Sequence, residues 1–128
     1  MGRTTGLLQK GYTAAVDIPA HRLMKFAAAD GQVTLAVDGS AAIIGVQSEL
    51  DVEAGDRASA AMVGNIEDVE FGGNVSRGQP LTADAQGRAI VAAPGAGANA
   101  YCIGLAEVSG VAGDIGTVII SPFIMQGA

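Results

Sequence analysis

Residues 75–105 read VSRGQPLTADAQGRAIVAAPGAGANAYCIGL, a series of short apolar pulses separated by Gly, Pro and Asp. Pro80-Leu81-Thr82 is the first pulse. Asp84-Ala85-Gln86-Gly87 supplies a turn, because Asp bonds its own backbone and Gly tolerates positive φ. Ala89 to Ala92 runs back, and Pro94 to Asn99 holds no regular structure. Tyr101 to Leu105, with β-favouring Tyr, Cys and Ile, is a third strand that closes the unit. No catalytic group sits inside it.

Working outward, the same grammar recurs. The pulses Tyr12–Val16, Leu23–Phe26, Val33–Val37, Ile43–Val46, Arg57–Val63 and Ile66–Phe71 are each bounded by Gly, Asp or Pro. They return about every 10 residues, with turns at Asp30-Gly31, Asp38-Gly39, Gly55-Asp56 and Gly72-Gly73-Asn74, which is the spacing of an all-β sandwich or barrel. Helical periodicity is poor; a short helix fits only at Ala27–Asp30 or Asp51–Ala54, where Gly31 or Gly55 stops it within a turn. The expectation is one β-domain over residues 12–128, a small sandwich or barrel of roughly ten short strands, preceded by an arm at residues 1–11.

The two halves also resemble each other. Gly31 and Gly87 lie 56 residues apart, Ile44-Gly45-Val46 and Ile103-Gly104-Leu105 lie 59 apart, and Ala54-Gly55-Asp56 and Ala112-Gly113-Asp114 lie 58 apart. Half-repeats at about residues 18–64 and 75–121 follow, two copies of one unit packed about a pseudo-twofold axis. Chance alignment of Gly-rich β sequence is the competing explanation.

Composition narrows what such a domain can be. A 128-residue chain can bury about two-thirds of the surface its unfolded form exposes. Its 49% hydrophobic content is mostly Ala and Val, with no Trp, 3 Phe and 2 Tyr, so the core is thin. Because 19 Gly raise the entropy lost on folding, part of the stability is expected from association with other copies or a larger partner. The net charge of −6 and the dispersed basic residues argue against nucleic acid and anionic membrane. Cys102 is alone, so no intrachain disulfide forms. The start, MGRTTGLLQKGYT, lacks the apolar core of a signal peptide, which implies cytoplasmic synthesis. The nearest approach to a membrane span is Val118 to Met125, interrupted by Pro122.

Enzyme chemistry finds few parts. His21 is the single histidine, so no nucleophile–base–orienter trio can be assembled and Cys/His zinc sites are out. A Cys102–His21 dyad is outweighed by the usual role of an apolar-strand Cys as a small hydrophobe. The acidic residues Asp51, Glu53 and Asp56, then Glu67, Asp68 and Glu70, lack the closely spaced ligands of a calcium loop and read as solvated strand edges that block aggregation. Neither catalysis, metal nor cofactor is expected. One alternative is a lipoyl or biotinyl carrier domain, since Val75-x-x-Gly78-Gln79-Pro80-Leu81 looks like the strand entering that family's hairpin. The hairpin tip here is Asp84 to Gly87, without the lysine that such a carrier modifies, and Met24-Lys25 sits in a strand.

The stretches PLTADAQGRAIVA and GAGANAYCIGLAEV, with the AGD turn and Val118-Ile119-Ile120 strand that follow, resemble the head decoration, or capsid cement, family of tailed phages. That resemblance implies a β-tulip-like domain and a structural role on the exterior of a phage capsid, where the protein binds the major capsid protein and stabilises the expanded head. It also implies a homotrimer, with a dimer as the alternative. In this reading the arm reaches the capsid, and Leu7, Leu8 and Tyr12 are its apolar anchors. The other function class is a non-catalytic cellular β-domain, either a surface-layer or appendage subunit or the carrier-like module.

Overall fold

The computed structural model describes residues 9–47 and 49–127. Within them run ten strands and no helix: β1 (Gln9–Ala14), β2 (Leu23–Phe26), β3 (Gln32–Leu35), β4 (Ile43–Gln47), β5 (Arg57–Ala61), β6 (Ile66–Glu70), β7 (Pro80–Ala83), β8 (Ala89–Val91), β9 (Asn99–Ala106) and β10 (Ile115–Gln126). The first five close into a barrel in the order β1-β3-β2-β4-β5, and the last five form a sheet in the order β6-β10-β9-β7-β8. The all-β barrel expected from the turn spacing is therefore present. Neither candidate helix forms: Ala27–Asp30 is a bend leading into a turn, and in Asp51–Ala54 Val52 is bridged to Ile18.

The strand pairing follows the same pattern in the two halves. Each half has an antiparallel hairpin, β2–β3 and β7–β8. A third strand lies antiparallel to the first strand of that hairpin, β4 on β2 and β9 on β7. A fourth lies on the third, and the strand preceding the hairpin lies on the fourth: β5 on β4 and β1 on β5, then β10 on β9 and β6 on β10. Loop bonds repeat as well. Ala14 N–H donates to Asp56 O and Phe71 N–H to Asp114 O, while the two-way bridges Ile18–Val52 and Val75–Gly110 hold the same place in each half. The repeated units begin at β1 and β6, earlier than the sequence boundaries of 18 and 75. Those two strands, QKGYTA and IEDVE, share no residue pattern that a sequence comparison could detect.

The halves differ in closure. In the first, β1 pairs with β3 in parallel at Thr13–Gln32 and Ala14–Val33. In the second, this shrinks to the single bridge Phe71–Ala89, and the sheet stays open. Phe71 stands where the first half has Ala14. A five-stranded barrel has a narrow interior, filled here by Ala14, Ala58 and Ala60 with Tyr12, Ile18, Met24, Val33 and Val52. A buried phenyl ring at the closing position needs room that such a barrel lacks, and the ring packs instead against the bare backbone of Gly110 and Gly116. The larger core joins the halves, with Leu23, Ala36, Ile43, Val46 and Ala61 of the barrel packing on Val69, Phe71, Leu81, Ile103, Val118 and Ile120 of the sheet.

Candidate functional site

The arm and its anchors come first. Leu7 and Leu8 lie outside the described residues. Gln9, Lys10 and Gly11, which the sequence assigns to the arm, belong to β1 and pair with Ala61, Ala60 and Ser59. Tyr12 is only 7% exposed. Its ring meets Phe26 edge-on at 6.2 Å, carries the Lys10 ammonium 5.4 Å from its centroid, and points its hydroxyl at Met62 Sδ. Tyr12 thus roots the first strand in the barrel.

A charged cluster ties the β7–β8 hairpin to the barrel. Asp84 Oδ1 accepts from the backbone N–H of Gln86 and of Arg88, both at 2.9 Å, which fixes the Asp-led turn expected from sequence. Arg88 Nε donates to Asp84 Oδ2 at 2.9 Å, and its Nη1 lies 4.0 Å from Glu70 Oε2. Arg22, just before β2, donates to Gln86 O at 2.7 Å and to Glu70 Oε1 at 3.2 Å. All four side chains are partly buried, so the cluster is a clasp between halves. The hairpin tip presents no lysine, and Lys25 lies within β2, paired with Thr34 and Ile43.

The solvated-edge expectation holds for Asp51, Glu53 and Asp56, which are exposed. It fails for Glu67 and Asp68, at 2% and 6% exposure, although β6 is an edge strand. The reason is tertiary. The segment before β2 lies along that edge, with Glu70 N–H donating to His21 O and the His21 ring bonded to Asp68 O at 3.2 Å. Cys102 has a different neighbour, Ala100 O, so the structure gives His21 and Cys102 separate partners. Burial also pushes the Cys102 thiol above its ordinary value.

Depressions formed by the described residues include three. One, between Asp38–Ser40 and the β7–β9 face, contains Asp38, whose carboxyl is held below its usual value by the Ser40 hydroxyl and N–H. Another is framed by Asp17, Pro19, Asp51 and Glu53, where Asp17 and Asp51 accept backbone N–H groups of Ala54 and Ala20. The third, of ≈ 190 Å³, lies under the β9–β10 ribbon and is lined by Ile43, Tyr101, Cys102, Pro122 and Phe123. None of the three places a nucleophile beside a base. Among the described residues no group of three or more His, Cys, Asp or Glu is arranged to hold a metal ion, and no helix is long and apolar enough to cross a membrane.

The ribbon is the surface feature that the sequence reading missed. β10 runs to Gln126, through Pro122, because the register shifts between Ile120 and Phe123 and absorbs the proline there. Phe123 and Ile124 are 38% and 56% exposed. The signal was the absence of charge in residues 89–106 and 115–128.

The fold is two five-stranded β units of like pairing, one closed into a barrel and one an open sheet. It is similar to the crystal structure of the head fiber gp8.5 N base in bacteriophage phi29, with a TM-score of 0.67 and 20% sequence identity over 89% of this chain and 93% of that one. No family model and no curated protein matches the sequence.

Proposed function

We propose that this chain is a structural protein of a phage virion, which binds the outer surface of the capsid lattice and stabilises the expanded head without catalysis or a cofactor. The observation that supports it most is the fold likeness to the N base of a phage head fiber, which spans nearly all of both chains. The decoration-family resemblance of residues 80–108 points the same way. In this reading the partner is the major capsid protein, the assembly on the lattice is a homotrimer, and synthesis is in the host cytoplasm. Residues 1–8 supply the reaching segment, with Leu7 and Leu8 as anchors and Tyr12 as its root in the barrel. An extended segment can add a strand to a sheet edge on the capsid, and several copies acting together turn modest contacts into tight binding.

The test is co-sedimentation of the purified chain with expanded heads built from the capsid protein encoded beside it. Saturable binding and a higher temperature of DNA release are expected. A folded chain that leaves expanded heads unoccupied overturns the proposal.

A further inference from the structure

We propose that copies of this chain associate with one another through the ribbon formed by Asn99–Cys102 of β9 and Phe123–Gln126 of β10. This specifies the self-contact surface for the proposed virion protein, yet it concerns the free chain and is tested without capsids.

Backbone geometry is the first ground. β6 covers β10 only from Ile115 to Ile119, and Ile120 is bonded to Gly64 and Asn65. Beyond the register shift, Phe123 to Gln126 pair, among the described residues, with β9 alone. Gly127 N–H donates to Ala98 O on the β9 side. The alternation of an antiparallel ladder then turns the N–H and C=O of Ile124 and Gln126 outward. These groups form a free edge, and such an edge accepts another strand.

Side chains are the second ground. Within the ribbon the exposed Ile124 stands opposite Tyr101 beside the exposed Phe123, and just before the register shift the exposed Leu105 and Ile119 oppose one another. The ≈ 190 Å³ cavity beneath is apolar and large enough to take a side chain from outside.

Charge selects the occupant. All 20 charged residues lie outside 89–106 and 115–128. Two copies, each of net charge −6, repel one another over most of their surfaces and least where both are neutral. A partner of opposite charge is better met on the acidic remainder, so the neutral apolar edge suits a second copy. Pro122 lacks an N–H and caps the free edge after a few residues, which favours a closed assembly over a growing fibre.

Sedimentation velocity of the full chain tests the proposal. Oligomers are expected at micromolar concentration, and Ile124→Lys should weaken association at least about tenfold with an unchanged circular dichroism spectrum. Leu50→Lys, at an exposed apolar residue off the ribbon, should leave association intact. If Ile124→Lys does not fold, Gln126→Pro removes one outward N–H at the ribbon end and should dissociate the oligomer in the same way. A wild-type chain that stays monomeric up to about 100 µM overturns the proposal, as does an oligomer that survives the folded ribbon variant. A chain that associates through the ribbon but ignores expanded heads overturns the capsid role alone.

Discussion

His21 and Gly78, 57 residues apart, hold the same position in the two halves. Both have positive φ, 64° and 91°, and each donates its backbone N–H to the last residue of a strand, Gln47 in β4 and Ala106 in β9. Among the described residues His21 is the only non-glycine with positive φ. A Cβ at Gly78 meets nothing within 4 Å, so Gly78→Ala should cost about 1 kcal/mol from backbone strain alone. His21→Gly should stay within roughly 0.5 kcal/mol of wild type, because strain relief offsets the lost ring contact to Asp68 O. Urea unfolding measures both.

Gly104 sets the approach of β9 to β10. Its φ is 154°, and a Cβ there collides with the carbonyl oxygen of Ile119, which is backbone and cannot yield. Gly104→Ala should therefore cost roughly 3 kcal/mol or more. At the equivalent Gly45 the Cβ would lie 2.7 Å from Ala61 O, and the loss should be smaller, roughly 2 kcal/mol. Thermal melts that rank the two in the opposite order would contradict this account.

The clasp at the hairpin should show its layers. Asp84→Ala removes the acceptor of two turn N–H groups and the Arg88 partner, for a loss of about 2 kcal/mol. Arg88→Met keeps the turn bonds and loses only partly screened ion pairs, about 1 kcal/mol. Denaturant midpoints should separate the two, with added salt narrowing the gap between wild type and Arg88→Met.

Cys102 should resist alkylation at neutral pH in the folded chain and react at the normal rate once unfolded, because burial shields the sulfur from reagent and disfavours its thiolate. The folded value is raised above the ordinary 9.0, so the unfolded chain loses this proton first as pH rises. The contribution to stability is constant below pH 9.0 and declines from there up to the folded value. The Cys102→Ala variant should lose that alkaline component; thiol labelling and melts between neutral and alkaline pH test it.

Truncation should be sharply position-dependent. Deleting residues 2–8 is expected to leave the β-domain folded while weakening occupancy of expanded heads. Extending the deletion to residue 11 strips Gln9, Lys10 and Gly11 from their pairing with β5 and should lower stability by roughly 2–3 kcal/mol. Equal stability of the two truncations would show that the pairing of Gln9 to Gly11 with β5 adds nothing to the fold.

Local chemistry made much of this chain legible in its sequence. Turns such as Asp84–Gly87 are written by residues that bond their own backbone, and strand spacing follows from them. The like pairing of the two halves has its counterpart in turn and Ile-Gly motifs that each half needs for the same local geometry. Strands β1 and β6 escaped detection as repeats, since they are held by partners distant in sequence and need no shared side chains. Closure of one half and opening of the other depended on Ala14 or Phe71 meeting the strand opposite, which only the assembled sheets decide. The same holds for Glu67 and Asp68, buried by a segment more than 40 residues away, and for Pro122, tolerated because a register shift receives it. The exposed ribbon was decided by where β6 ends against β10, a length mismatch between strands that no local pattern encodes.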